Sequence, residues 1–112
     1  SKIEKVFYTG LASHPQKRVI DRQQKAGGAV LSFRVKGGRK EAWQVIDNIH
    51  LFCKTGNLGD VRSIITHPFT TTHARMSAEQ KNQVGITENL IRISVGLEHI
   101  EDLQEALDEV LV

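Results

Sequence analysis

Between residues 29 and 35 apolar and polar positions alternate: Ala29, Leu31, Phe33 and Val35 fall on one side, Val30, Ser32 and Arg34 on the other. A period of two predicts a strand with one apolar face, and Gly37-Gly38 ends it. From Arg39 the period changes. Ala42, Trp43, Ile46 and Ile49 recur at helical spacing, so this segment buries one stripe and exposes Lys40, Gln44 and Asp47. Leu51 to Lys54 reads as a short strand, 55–59 as a loop, and Val61 to Thr66 as another strand. The hydroxyl-rich run Thr70-Thr71-Thr72-His73 is too polar for core. Ser77 followed by Gln80 is a capping box, and Gly85 suits the position after a helix, which predicts two turns between them. Ile91, Ile93 and Val95 alternate with Leu90, Arg92 and Ser94, another strand. Ile100, Leu103, Leu107, Val110 and Leu111 form the stripe of a terminal helix, with Glu101 and Asp102 where the helix dipole favours acids. Ahead of all this, residues 1–13 read as an entry segment with an extended piece around Val6-Phe7-Tyr8 and a turn at Thr9-Gly10. His14-Pro15 then begins a helix that runs to Gln24 and stops at Gly27-Gly28.

From residue 29 the order is strand, helix, strand, strand, helix, strand, helix, close to a split βαβ pattern. The expected fold is α/β of the α+β kind: a mostly antiparallel sheet of about four strands, helices on one face and the other face free. Arg92 points to that free face. Alternation leaves two readings of it open, a solvated arginine or one wall of an anion site.

Composition narrows the classes. A chain of 112 residues with 39% hydrophobic positions supports one domain with one core. Its net charge of +2 comes without a dense basic block, so neither nucleic acid nor a membrane surface is indicated as a partner. The few aromatic residues are placed as core, which speaks against an RNA-stacking sheet. No apolar run is long enough to span a bilayer. The single cysteine, Cys53, has no internal partner and is expected as a buried inert thiol; a cytoplasmic location follows as the default. His14, His50, His67, His73 and His99 are dispersed without metal-ligand spacing, so no metal site is expected, and His67 and His73 read as hydrogen-bonding groups of their loop. The loop "TGNLGD" lacks the lysine of a phosphate-binding loop, and Asn57 there can equally cap a turn. No nucleophile stands out. The first residue is Ser rather than Met, and the chain stops with its last helix, so a piece of a longer polypeptide is expected.

Three stretches carry more. "GLASHPQKRVIDRQ", "NLGDVRSIITHPFTTTH" and "GITENLIRISVGLEHIEDLQEAL" resemble, in order and spacing, consecutive blocks of the C-terminal region of the pyridoxal-phosphate enzymes of cysteine and methionine metabolism. That family contains cystathionine γ-synthase, the γ-lyases and the homoserine-ester sulfhydrylases. The "NLGD" and "TTTH" forms look most like sulfhydrylases acting on O-succinylhomoserine or O-acetylhomoserine, the succinyl branch foremost. The resemblance implies the small C-terminal domain of the type I pyridoxal-phosphate fold over residues 1–112, with 1–27 as entry segment and linking helix. It also implies that the large cofactor-binding domain lies outside this chain. None of the lysines stands in the family's Ser-x-Thr-Lys context, so no catalytic residue and no cofactor-binding residue is assigned here.

Carried over position by position, the resemblance implies that Arg92 binds the α-carboxylate of an amino-acid substrate. Asn57, where the family more often has serine, would help hold it, and Thr72 lies near the cofactor entrance. A guanidinium suits this task because it offers a carboxylate two parallel hydrogen bonds. Thr9 departs from the family's usual proline. The implied whole is a homotetrameric transferase of methionine biosynthesis that uses pyridoxal phosphate and sulfide to make homocysteine, with the isolated domain inactive. Two alternatives stand beside it: a γ-synthase or γ-lyase on the same scaffold, and a free-standing ferredoxin-like module that binds an amino acid for regulation.

Overall fold

A computed structural model describes residues 1–112. Five strands form one sheet in the order β1-β2-β5-β4-β3: β1 is Ile3–Phe7, β2 Val30–Val35, β3 Cys53–Lys54, β4 Ile64–Thr66 and β5 Leu90–Ser94. All neighbours are antiparallel except β3 and β4, which run parallel. Both β2 and β4 pair antiparallel with β5, so they are parallel to each other with β5 between them. That is the split βαβ arrangement, its crossover made by helix α2 (Arg39–Asn48). The expectation of about four strands falls one short. The extended piece near Val6 is the end of β1, a full edge strand whose alternation is hidden because four of its five residues are charged or half-exposed.

Two of the predicted strands are shorter than their sequence runs. Leu51 leaves the first, adopting a left-handed backbone (φ 71°), and only Cys53 and Lys54 pair. Val61 and Arg62 stay outside β4: the Val61 carbonyl accepts from Leu97 beyond β5, and the Arg62 amide donates to Asp60 Oδ1 at 2.9 Å. Helix α1 (Lys17–Gln23) begins two residues after Pro15, the intervening turn being closed by His14 Nδ1, which accepts from the Gln16 amide at 3.0 Å. Thr9, which departs from the usual proline of the resembled family, donates to the Gly27 carbonyl at 2.6 Å, and Tyr8 donates to that of Gly28 at 2.9 Å. These two bonds close the base of the long excursion between β1 and β2.

The core lies on one face of the sheet. Phe33, Val35, Ile65, Ile91 and Ile93 meet Ala42 and Val45 of α2, Ile49 just after it, and Leu103, Ala106, Val110 and Leu111 of α4 (Ile100–Leu111). Within the predicted stripes Trp43 and Ile100 are turned outward, and Val45 and Ala106 take their places. Helix α3 (Ala78–Gln83) has the expected capping box: Ser77 Oγ accepts from the Gln80 amide and Gln80 Oε1 from the Ser77 amide. Gly85 follows in the left-handed conformation (φ 79°) that ends the helix. No helix is long and apolar enough to cross a membrane.

Candidate carboxylate site on the open sheet face

Register decides which residues share the face opposite the core. Arg92 pairs with Ser32 on one side and Thr66 on the other, so these three point the same way from adjacent strands. This face is only partly free. Thr66 and Ser94 are buried on it, because the loop between β3 and β4 folds over one end. Toward the other end, Arg34 reaches the Gly85 carbonyl beyond α3 at 3.1 Å. Arg92 sits half-buried between those two covers.

Its guanidinium is held from one side. Nη2 donates to the Gly56 carbonyl at 2.8 Å and to the Asn57 carbonyl at 3.4 Å. Nε and Nη1 have no protein acceptor. A cation fixed this way keeps donors of its planar fork for an incoming anion, and a carboxylate is the geometric match. A β-carbon at Gly56 would stand 3.3 Å from the Thr72 methyl, so Thr72 packs directly over the residue that holds Arg92. The structure therefore brings Arg92, Asn57 and Thr72 together from three separate segments. The form of Asn57's participation differs from the turn-capping alternative: its carbonyl faces Arg92, and its exposed side chain makes no hydrogen bond. The Thr72 hydroxyl bonds to His73 Nδ1 at 2.8 Å.

Behind this group the threonine run is ordered by His67, which is 3% exposed. Its Nε2 lies 2.6 Å from the Glu88 carbonyl, which only accepts, so Nε2 carries the proton. Nδ1 then accepts from Trp43 Nε1 at 3.2 Å and from Thr70 Oγ1 at 2.7 Å. Thr71 donates to the His67 carbonyl and is 3.0 Å from Thr66 Oγ1. Burial holds the imidazole below its ordinary pKa, with Arg39 and Lys81 pushing the same way against the Glu88 carbonyl. His67 is thus a neutral structural group, the hydrogen-bonding role its loop position suggested. A cleft of about 280 Å³ is lined by Gly56, Trp43 and this threonine turn. A hollow of about 630 Å³ between Lys36, Asn48 and Glu109 is remote from Arg92.

Cys53 is half-buried, not buried, because β3 is an edge strand with a single neighbour. No group of three or more His, Cys, Asp or Glu side chains is placed to hold a metal ion. Lys81, the one buried lysine, donates to the Phe69 carbonyl at 2.8 Å and lies 4.0 Å from the centre of its ring. It is a tethered cation supporting the threonine turn, not a free amine on the open face. The donors that Arg92 itself keeps unpaired fit a carboxylate.

The family model for Cys/Met metabolism PLP-dependent enzymes matches residues 1–112, and the chain belongs to that family. It is 51% identical over 102 residues to O-succinylhomoserine sulfhydrylase of Pseudomonas aeruginosa, covering 91% of this chain and 25% of that protein. L-methionine gamma-lyase of Fusobacterium nucleatum is 39% identical over 108 residues, covering 96% of this chain and 27% of its own length. Among solved structures, cystathionine gamma synthase of Xanthomonas oryzae pv. oryzae in complex with cystathionine superposes with a TM-score of 0.94 at 39% identity, over 99% of this chain and 29% of that one. The chain spans about a quarter of the length of the relatives it matches. Its relatives are pyridoxal-phosphate enzymes of transsulfuration, and its fold is the one expected for a domain of such enzymes.

Sequence reasoning put Ser94 on the Arg92 face but missed its long-range partner and the Ser63–Glu98 pair. Ser94, Ser63 and Glu98 act across 33 to 35 positions of sequence, and a serine in a strand gives no local sign of such a partner.

Proposed function

We propose that residues 1–112 form the substrate-binding domain of a pyridoxal-phosphate sulfhydrylase, which replaces the γ-ester of an activated homoserine with sulfide to give homocysteine. The observation that carries the reading is the Arg92 guanidinium, held through Nη2 by two backbone carbonyls while Nε and Nη1 keep no protein acceptor. The higher identity to the O-succinylhomoserine sulfhydrylase favours the succinyl ester over the other reactions of the family. Asn57 and Thr72 flank the bound carboxylate. The remainder of a polypeptide about four times this length would carry the cofactor and its lysine, in a cytoplasmic homotetramer.

Pyridoxal phosphate, when bound, supplies an electron sink that makes the Cα–H of an amino acid removable. What this domain supplies is orientation. Two hydrogen bonds from one planar cation fix the carboxylate in position and in plane, and so fix the direction of the Cα–H bond. The fork also discriminates: a ligand without a carboxylate leaves a half-buried cation short of acceptors.

The full-length protein loaded with cofactor tests the reading. With sulfide it is expected to convert O-succinyl-L-homoserine to homocysteine faster than O-acetyl-L-homoserine. Cystathionine formed from the same ester and cysteine, with no homocysteine from sulfide, would move the assignment to a γ-synthase. Release of 2-oxobutyrate from L-methionine or cystathionine as the dominant activity would move it to a γ-lyase.

A further inference from the structure

We infer that Ser94, backed by the Ser63–Glu98 pair, is a positioning residue for Arg92, setting the carbonyls that hold the guanidinium; the inference rests on reading Arg92 as the carboxylate anchor. The acceptors of Arg92 belong to Gly56 and Asn57, in a loop that joins two short strands. Neither carbonyl is part of a sheet ladder, so their position depends on what holds the loop. Ser94 holds it first. It stands two residues from Arg92 on the same face of β5, is 1% exposed, and its Oγ accepts from the Gly59 amide at 2.9 Å. One strand thus carries both the guanidinium and the group that fixes the loop beneath it.

The loop's exit is tied to the same strand's continuation. Leu97 donates to the Val61 carbonyl at 2.7 Å, and the Gly96 amide to Ser63 Oγ at 2.8 Å. Ser63 Oγ in turn donates to Glu98 Oε1 at 2.9 Å, while the Ser63 amide donates to Oε2 at 2.8 Å. Charge-assisted bonds of this kind are the stronger members of a network. Gly96 permits the approach, since a β-carbon there would lie 2.3 Å from the Val61 carbonyl oxygen. The Asn57 contact, at 3.4 Å, is at the long limit of a hydrogen bond, so a shift of a few tenths of an ångström in the loop releases it and turns the fork.

The test compares ligands with and without a carboxylate on the full-length, cofactor-loaded protein. Inhibition constants are measured for L-norleucine and for its α-carboxamide, together with KM and kcat for O-succinyl-L-homoserine. Ser94→Ala is expected to weaken norleucine about fivefold or more and the carboxamide by less than about twofold, raising KM more than it lowers kcat. Glu98→Ala is expected to do the same to a smaller extent, and Glu98→Gln to recover most of it, because one oxygen still accepts from Ser63. In an Arg92→Ala background, Ser94→Ala should add nothing. Equal weakening of both ligands, or full additivity with Arg92→Ala, would reduce these residues to general supports of the fold and overturn the inference. Should Ser94→Ala fail to fold, the Glu98 pair of variants decides alone. If Arg92→Ala itself leaves the ratio of the two inhibition constants unchanged, the anchor reading fails; if it collapses the ratio while Ser94→Ala and Glu98→Ala do not, only the positioning inference fails.

Discussion

Arg92 and Gly56 lie 36 residues apart in the chain, yet Nη2 of one donates to the carbonyl of the other at 2.8 Å. The bond makes the cation part of the β3–β4 loop as much as of its own strand. It also explains why a charged residue is tolerated between two fully buried isoleucines: alternation sends it to the opposite face, and the loop supplies acceptors there.

Removing that cation should separate function from folding. On the proposed anchor role, Arg92→Ala in the full-length protein should leave a substrate carboxylate unpaired, a loss of roughly 2 to 5 kcal/mol, so catalytic efficiency should fall by well over tenfold. Arg92→Lys keeps the charge without the planar fork and should restore only part. Stability of the 112-residue domain should change by about 1 kcal/mol, the value of the carbonyl bonds, because Arg92 lies on the sheet face opposite the core. Efficiency, cofactor absorbance and denaturant midpoint on the same variants give the answer. Unchanged efficiency in Arg92→Ala would remove this residue from the site.

Gly96 and Gly28 predict opposite origins for the cost of an alanine. At Gly96 a β-carbon meets the backbone of Val61, Arg62 and Ser63 at 2.3, 2.5 and 2.6 Å, and backbone cannot swing aside. Gly96→Ala should cost about 3 kcal/mol or more and pull the loop from Glu98. Gly28 has open space around it but a φ of 82°, so Gly28→Ala pays only for the left-handed backbone, about 1 kcal/mol. Urea midpoints distinguish the two, and equal losses would contradict the packing described around Gly96.

What could be read before the structure was whatever has a local period or a local cap. The alternation of β2 and β5, the stripe of α2 and the Ser77/Gln80 box all rest on neighbours within one turn or one strand. Arg92, Asn57 and Thr72 came from resemblance to a family, not from spacing; in the structure Arg92 reaches the Gly56 and Asn57 carbonyls, and Thr72 lies against Gly56. The elements that misled are those decided at a distance. Val61 looked like strand, but its carbonyl is taken by Leu97. Trp43 looked like core, yet it is 42% exposed and its indole N–H is engaged by His67, 24 residues away, outside the main core cluster. His99 gave no sign of the capping role it plays, accepting from the Glu101 amide at 3.3 Å at the start of α4.

Helix α3 should be sensitive to its cap out of proportion to its size. Six residues cannot sustain a helix unaided, so the reciprocal pair at 3.0 and 3.2 Å carries much of its order. Ser77→Ala should destabilise the domain by about 1 kcal/mol, and Ser77→Thr by much less, since the oxygen is kept. Amide exchange should rise first at Gln80. Protection there unchanged in Ser77→Ala would show that tertiary contacts, such as Lys81 to the Phe69 carbonyl, hold α3 without the cap.

His67 makes the domain's stability depend on pH in a window of its own. In the folded state both ring nitrogens are committed: Nε2 donates to Glu88, and Nδ1 accepts from Trp43 and Thr70. A second proton would have to displace two donors from Nδ1 and bring a charge into a buried place near Arg39 and Lys81, which is why burial holds the group below its ordinary value. Unfolded, the imidazole titrates near its usual pKa of about 6.5. The unfolded chain therefore binds the proton more readily, and the stability due to neutral His67 is complete above about 6.5 and is lost as pH falls from there toward the lower folded value. Glu41, Asp60 and Glu98 are also held below their ordinary range: Gly38 and Arg62 bond to the first two, and at Glu98 the Ser63 bonds prevail over desolvation. Their losses begin only as the unfolded carboxyls titrate, near about pH 4. Denaturant midpoints at pH 7.5 and 5.0 thus isolate the histidine. The native domain should lose stability between them, whereas His67→Gln, less stable at pH 7.5, should lose clearly less on acidification. Parallel losses in both proteins would mean that the buried imidazole is not what titrates.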